Sequence, residues 1–189
     1  MKTIKILGIC GSLRQHSCNK GLLMYAYDVA RFKGVSMSLF DLGRLPLYNQ
    51  DMDNEKAPRD VQAWKKEVEE ADAIFFACPE HNYSMTAAMK NALDWASKNP
   101  RNLWKGKVGG IVGAGGGAGT ARSQLALRQS GVFLDITFMN SPEVCIKRFS
   151  ERDCFDKHGK LVSETWKMRV ADMLDRTIAL ARKMKEEDE

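Results

Sequence analysis

Near the beginning of the sequence, Ile4-Lys5-Ile6-Leu7-Gly8-Ile9-Cys10 runs directly into Gly11-Ser12-Leu13-Arg14-Gln15-His16-Ser17-Cys18-Asn19. The first segment is a short apolar run with Lys5 as its one charge, which is typical of a buried strand. The second segment is polar, and an amphipathic stretch follows it from Asn19 to about Phe32. This succession predicts a strand, a loop and a helix, the first unit of an α/β fold.

The same alternation continues along the chain. Further apolar runs predict strands at 35–40, 73–78, 107–114 and 132–139, and several of them are too apolar to face water. Helices are predicted from Pro58 to about Ala71, from a Ser84 cap to about Ala96, over 120–130 and over 164–184. Residues 41–58 are rich in Asp, Asn and Pro and are predicted to be irregular. Five strands separated by helices predict a parallel sheet with helices on both faces.

Composition narrows the class of protein further. The chain has 189 residues, 44% of them hydrophobic and 28% charged, which predicts one globular domain over residues 1–189. The net charge of +5 favours anionic ligands but does not indicate nucleic acid, and no apolar run is long enough for a membrane span. Five cysteines without a C-x-x-C pair indicate neither a disulfide scaffold nor a metal site. We therefore expect a cytoplasmic, unexported chain with no metal.

Ligands of a doubly wound sheet bind beyond the carboxyl ends of its strands, so the loops after the first, third and fourth strands carry the functional prediction. These are loop one (residues 11–19), loop two (79–84) and loop three (113–119). Loop one runs into a helix whose first N–H groups, with short polar side chains and Arg14, suit a phosphate. The alternative is an ordinary helix capped by Ser17 or Asn19.

The spacing in loop one excludes several phosphate-binding classes. Residue 16 is His16 where a Walker A loop needs its second glycine, and Gly8 and Gly11 are three apart, so a dinucleotide fingerprint fails. Cys10 lacks an arginine six residues on, and we therefore interpret it as a strand residue rather than a phosphatase nucleophile. Loop three contains five glycines in seven positions and could approach a ligand closely, although its Gly113-x-Gly115-x-x-Ala118 pattern is easily met by chance. Taken alone, loop two fits a turn followed by a Ser84 helix cap at least as well as it fits a binding role.

Taken together, a phosphate subsite and two loops able to approach a flat, polar-edged ring predict a phosphorylated planar cofactor. Flavin mononucleotide (FMN) is the leading candidate. The strand order then expected is 2-1-3-4-5, the flavodoxin-like doubly wound sheet.

At this point the sequence resembles a known family. The motifs that carry the resemblance are Gly11-Ser12-Leu13-Arg14-x-x-Ser17-x-Asn19, Leu45-Pro46-Leu47-Tyr48-Asn49-x-Asp51, Pro79-Glu80-x-Asn82-x-Ser84 and Lys90-Asn91-x-x-Asp94-Trp95. They are similar to those of the NADPH-dependent FMN reductases, and among these to quinone and chromate reductases. The resemblance implies that Ser12, Arg14, Ser17 and Asn19 hold the FMN phosphate and that Pro79, Glu80, Asn82 and Ser84 line the flavin. The full predicted cofactor-binding set also includes Cys18, His81, Gly115, Gly116 and Gly117.

The resemblance also implies an activity. We expect NADPH or NADH to reduce the bound flavin and a quinone-like acceptor to reoxidise it by a ping-pong scheme, with no catalytic side chain and with His81 as a substrate contact. Homodimers or homotetramers are implied, in which a neighbour helps to cover the ring. His81 stands where the family usually has Tyr, and Thr120 where a second glycine is frequent; both are expected to alter ring contacts. The alternatives are an FMN-binding electron carrier or a regulatory flavoprotein, and the charge of +5 argues against an acidic carrier.

Overall fold

The computed structural model describes residues 3–98 and 100–187, so residues 1, 2, 99, 188 and 189 of the predicted domain lie outside the described part. Its strands are β1 (Lys5–Cys10), β2 (Ser36–Phe40), β3 (Ala73–Ala77), β4 (Glu80–His81), β5 (Ser84–Met85), β6 (Val108–Gly115), β7 (Thr137–Phe138) and β8 (Cys145–Lys147). Its helices are α1 (Cys18–Phe32), α2 (Arg59–Glu70), α3 (Ala87–Trp95), α4 (Ala121–Leu134) and α5 (Glu164–Glu187).

The central sheet is parallel and has the order β2-β1-β3-β6-β7. This confirms the predicted flavodoxin-like order 2-1-3-4-5, with β6 and β7 as the fourth and fifth predicted strands. All five residues of β3 are buried, as its unbroken apolar sequence predicts for a strand covered on both faces. The carboxyl ends of β1, β3 and β6 therefore lie side by side and bring loops one, two and three together.

Helices cover both faces of the sheet, as predicted. Leu22 of α1 and Leu174 of α5 belong to the apolar core on one face. Trp64 of α2, Leu93 of α3 and Leu127 of α4 belong to the core on the other. Every one of these five side chains is at most 1% exposed, so each helix is fixed to the sheet by its apolar stripe.

Two predicted boundaries are wrong. The helix cap in loop two is Thr86, whose Oγ1 accepts from the Met89 N–H, whereas Ser84 belongs to the β4–β5 hairpin. The strand predicted over 132–139 begins too early, because α4 continues to Leu134 and exposes Val132 and Phe133. These bulky apolar residues look like a strand in the sequence, but they lie on an outward helix face.

The edge of the sheet beyond β6 is divided between two short strands. β7 pairs with the beginning of β6 and β8 pairs with Gly113–Gly115 at its end. The second of these was not predicted, and it places the residues that follow Lys147 beside loop three. Residues 41–58 are irregular, as predicted, apart from single helical turns at Leu42–Arg44 and Gln50–Met52. No helix of the described residues has the length and apolar character needed to cross a bilayer.

Candidate functional site

A groove of about 220 Å³ lies at the carboxyl ends of β1, β3 and β6. We call it the sheet-end groove. It is bounded by loops one, two and three and by the residues that follow β8. Its lining consists of Ser12, Arg14, Ser17, Cys18, Asn19, Pro79, Glu80, His81, Ala114, Gly115, Gly116, Arg148 and Phe149.

Loop one is tied to the strands and helix behind it. The Gly11 N–H donates to the Ala77 carbonyl at 3.0 Å, and the Thr86 hydroxyl donates to the Gly11 carbonyl at 2.8 Å. A Cβ at Gly11 would lie 2.7 Å from Thr86 Oγ1 and 2.9 Å from Pro79 Cδ, so only glycine allows this approach. The backbone of loop one is therefore positioned before any ligand arrives.

The first turn of α1 and two arginines make one end of the groove positive. Ser17 is the N-cap, and its hydroxyl accepts from the Lys20 N–H at 3.4 Å. This identifies Ser17, rather than Asn19, as the cap. Burial raises the pKa of the Cys18 thiol, while the charges of Arg148 and Arg14 act in the opposite direction, which places both guanidinium groups near the start of α1. Free N–H groups at a helix N-terminus beside two arginines form a site for a phosphate.

Asn19 lines the groove, but its side-chain amide is bound to the backbone of β6. Its Nδ2 donates to the Ala114 carbonyl at 2.8 Å, and its Oδ1 accepts from the Ala114 N–H at 2.9 Å. The residue is 5% exposed. The amide thus joins α1 to β6, and the structure assigns it to holding the loop rather than leaving it free for a ligand.

Loop two is a tight β-hairpin that is anchored to α4. Asn82 and Tyr83 form its turn with φ of 49° and 68°. The Glu80 carboxylate accepts from the Arg122 N–H at 3.1 Å and from Arg122 Nη1 at 2.7 Å, and it accepts from the Ser123 N–H at 3.4 Å. Glu80 therefore caps the N-terminus of α4, where a negative charge is stabilising.

The predicted residues of loop two divide into two groups. Pro79, Glu80 and His81 line the groove. Asn82 and Ser84 are exposed and lie outside the lining. The tip of the hairpin thus stands at the rim of the groove rather than within it.

Loop three borders the groove mainly with the backbone of glycine residues. Gly115 and Gly116 line it, whereas Gly117 does not. A Cβ at Gly115 would lie 1.9 Å from the Gly119 carbonyl oxygen, so the loop can close on itself only without a side chain there. Thr120 is buried, and its Oγ1 accepts from Gln124 Nε2 at 3.0 Å. Thr120 thus serves the packing of loop three.

Three lining residues are absent from the predicted set: Ala114, which lies within loop three, and Arg148 and Phe149, which lie outside the three loops. Arg148 follows β8, and its N–H donates to the Gly115 carbonyl at 2.8 Å. Phe149 is 73% exposed and would be 3.3 Å from a Cβ at Gly116. In the sequence, the basic–aromatic pair Arg148-Phe149 closely follows the apolar run Val144-Cys145-Ile146. The pair lies at the groove because β8 pairs with β6, and the sequence alone does not show this pairing.

Cys10 and Cys78, at the carboxyl ends of β1 and β3, lie behind the loops and are absent from the groove lining. Burial raises the pKa of the Cys10 thiol to about 11 and that of Cys78 to about 12. Both are protonated at neutral pH, and a protonated thiol is a poor nucleophile. This agrees with the interpretation of Cys10 as a strand residue.

These features fit FMN. The positive end at Arg14, Arg148 and the first turn of α1 suits its phosphate, and the glycine backbone at 115 and 116, where a Cβ would clash or crowd Phe149, leaves room for a flat ring. The fold and the groove together define a flavodoxin-like, FMN-binding flavoprotein.

The comparison with known proteins is more specific. The family profile of NADPH-dependent FMN reductases matches residues 4–151, and the chain belongs to this family. It is 45% identical to an NAD(P)H:quinone oxidoreductase from Solanum tuberosum over 96% of this chain and 95% of that protein. It is 44% identical to an NAD(P)H-dependent FMN reductase from Pseudomonas aeruginosa over 85% of this chain and 86% of that protein. The solved structure of the flavoenzyme NAD(P)H:(acceptor) oxidoreductase from Paracoccus denitrificans superposes with a TM-score of 0.83 at 27% identity, covering 96% of this chain and 99% of that one.

The resemblance seen in the sequence is therefore confirmed, together with the enzyme class and the cofactor. The protein is an NAD(P)H-dependent oxidoreductase that uses FMN. An archaeal flavodoxin also superposes, with a TM-score of 0.58 at 17% identity over 92% of this chain and 99% of that one, and this likeness concerns the fold alone.

Proposed function

We propose that this protein passes two electrons from NADPH or NADH to a quinone-type acceptor by a ping-pong scheme, in which donor and acceptor occupy the same place in turn. The sheet-end groove supports this most directly, because its positive end and its open, glycine-lined end lie beside each other. The relatives named as quinone oxidoreductases support the acceptor class. Bound FMN supplies the redox chemistry, and the side chains bind, orient and exclude water.

In this proposal, the phosphate is held by Ser12, Arg14, Ser17, the Cys18 backbone and Arg148. Each of these lines the groove near the first turn of α1. Asn19 acts through Ala114, because its amide already bonds there. A guanidinium can make two parallel hydrogen bonds to a phosphate, and two guanidinium groups oppose the charge of a dianion.

The ring lies between loops two and three. Pro79, the Glu80 backbone, His81, Gly115 and Gly116 surround it, with Phe149 at the side. Asn82, Ser84 and Gly117 contact it from the rim. His81 is exposed and serves as the substrate contact rather than as a proton donor.

A second copy of the chain covers part of the site. α4 exposes Leu125, Val132 and Phe133 at 66%, 84% and 82%, and such a row of large apolar side chains is unusual on a monomer. Tyr83, at 72% exposure, extends the apolar surface toward the groove, with the Arg122 guanidinium 3.9 Å from its ring centre. We infer a homodimer or homotetramer with this face in contact.

We also propose that residues 1–189 form one FMN-binding domain and that the protein acts in the cytoplasm. The continuous sheet supports the first point. The five free cysteines support the second, because free thiols persist in a reducing compartment.

The activity is tested by steady-state NADPH and NADH oxidation by the FMN-loaded protein, with and without a quinone. We expect acceptor-dependent turnover and parallel double-reciprocal plots. An electron carrier or a regulatory flavoprotein would keep the yellow flavin spectrum but show little turnover with a quinone, and that result would reject the proposed function.

A further inference from the structure

A second and larger cavity lies on the outer side of α1. Its volume is about 530 Å³, within the range of roughly 300–1,000 Å³ that is typical of small-molecule sites. We call it the α1 cavity. One wall is the outward stripe of α1, and the other is the turn 158–161 with Lys167 of α5. Its lining is Gln15, Ser17, Lys20, Gly21, Met24, Tyr25, Asp28, His158, Gly159, Lys160, Leu161 and Lys167.

The α1 cavity is distinct from the sheet-end groove. The two linings have Ser17 alone in common. The proposed flavin contacts of loops two and three take no part in the α1 cavity. The α1 cavity thus meets the sheet-end groove at Ser17, beside the proposed phosphate, and lies apart from the proposed ring contacts.

The interior of the α1 cavity is apolar. Leu161 is 1% exposed, and Tyr25 is half-buried beside it. Met24 is 40% exposed, which leaves its side chain available to a ligand. A flat or aliphatic body would gain apolar burial against Met24 and the exposed part of Tyr25, whereas Leu161 is already covered by the protein.

The wall opposite α1 is fixed. A Cβ at Gly21 would lie 1.9 Å from the Gly159 carbonyl oxygen, so the turn packs directly on the helix backbone. The Asp156 carboxylate accepts from the N–H groups of His158 and Lys160 at 2.8 and 2.9 Å, and Phe155 forms a β-bridge with Leu161. The α1 cavity is thus a preformed feature and not a gap left by a loose loop.

The charge of the rim is positive. Lys20, Lys160 and Lys167 line the cavity together with a single carboxylate, Asp28, and the Asp156 carboxylate, which accepts from the Lys160 backbone N–H, is outside the lining. Lys167 is paired with Glu164, which lies outside the lining, at 2.7 Å. Among the described residues, no carboxylate lies within ion-pair distance of the Lys20 or Lys160 ammonium group. Two ammonium groups beside an apolar interior are complementary to one kind of ligand, an anion with an apolar body.

We propose that the α1 cavity binds a small organic anion, with its apolar body against Met24 and Tyr25 and its acidic group at Lys20 and Lys160. The site meets the proposed phosphate end of the sheet-end groove at Ser17, lies apart from the proposed ring contacts and does not depend on the proposed acceptor.

The test uses the FMN-loaded protein and 1-anilinonaphthalene-8-sulfonate, an aromatic body with one sulfonate. We expect one bound probe per chain by fluorescence titration. The double variant Lys20→Glu/Lys160→Glu should weaken binding by about 10-fold or more, the loss expected when charge-assisted contacts are reversed. The control Lys66→Glu/Lys183→Glu changes the net charge equally at exposed positions elsewhere, and it should stay within about 2-fold of the wild type.

Two further arms keep the proposal testable if the charge-reversal variant fails to fold. Met24→Ser removes most of the exposed apolar wall while leaving both lysines in place, and it should weaken binding of the sulfonate probe about 10-fold. N-phenyl-1-naphthylamine, which lacks the sulfonate, should bind the wild type about 10-fold more weakly. Equal binding of both probes, unchanged binding by either variant, or displacement of the sulfonate probe by excess FMN would overturn the proposal.

Discussion

Replacement of Asn19 by alanine separates two roles that the sequence leaves open. In the structure, the Asn19 amide makes both of its close hydrogen bonds to Ala114, at 2.8 and 2.9 Å, in a position that is 5% exposed. Asn19→Ala would leave a buried N–H and a buried carbonyl of β6 without partners. At about 1–3 kcal/mol for each of the two orphaned groups, we expect a loss of roughly 2–6 kcal/mol in the free energy of unfolding.

The assay is urea denaturation of the apoprotein, followed by circular dichroism, with FMN affinity measured separately by flavin fluorescence. In thermal denaturation the same loss corresponds to a drop in Tm on the order of 4–24 °C, since 1 kcal/mol shifts Tm by about 2–4 °C in a domain of this size. Arg14→Ala is the matched comparison, because Arg14 is exposed and its Nη2 donates to the His16 carbonyl, two residues away, at 3.2 Å.

The two variants should behave in opposite ways. Arg14→Ala should weaken FMN binding about 10- to 100-fold and leave the apoprotein's stability within about 0.5 kcal/mol. Asn19→Ala should destabilise the apoprotein first, whatever it does to affinity. The reasoning would be refuted if the Asn19→Ala apoprotein were as stable as the wild type and nevertheless bound FMN weakly. That result would indicate that the Asn19 side chain binds the phosphate directly.

Four other expectations follow from the same structure. Arg148→Ala should weaken FMN binding about 10-fold or more, measured by equilibrium dialysis, and an unchanged Kd would remove Arg148 from the phosphate site. Glu80→Gln should lower Tm by a few degrees through loss of its charge at the N-terminus of α4, and a Tm equal to that of the wild type would show that the charge is not needed. Phe133→Asp should shift the protein to monomers in light scattering, and an unaltered mass would exclude the α4 face as the contact. Burial raises the pKa of Cys10 from 9.0 to about 11, so the stability that its protonated thiol contributes is complete below about pH 9 and is lost as the pH rises through 11. Cys10→Ala should therefore reduce the fall in the free energy of unfolding between pH 9 and 11, measured by urea denaturation. The same fall in the variant and the wild type would contradict the raised pKa.

The strands of the central sheet could be predicted from the sequence as short apolar runs, and their order could be predicted from the flavodoxin-like fold that an FMN site indicates. The run at 73–78 shows this most clearly, since all residues of β3 are covered on both faces. The phosphate subsite in loop one could also be predicted, since glycine, short polar residues and an arginine directly before a helix are typical of such a loop. Apolar periodicity and the residue types of a loop are properties of a few consecutive residues, so they can be recognised in a single sequence.

Features that depend on contacts between distant segments could not be predicted in this way. The strand expected at 132–139 is partly helix, because Val132 and Phe133 face outward on α4 and sequence alone does not show which surface an apolar residue covers. Arg148 and Phe149 join the groove only because β8 pairs with β6.

The amino-acid sequence by itself determined the alternation of strands and helices, the loops that meet at the sheet end and the family to which the chain belongs. The tertiary structure decided how individual polar groups are used. The Asn19 amide bonds to Ala114, 95 residues away, and the Glu80 carboxylate caps a helix 42 residues away. The packing of distant segments brings these partners together. No periodic pattern in the sequence indicates which remote groups will be within hydrogen-bond distance.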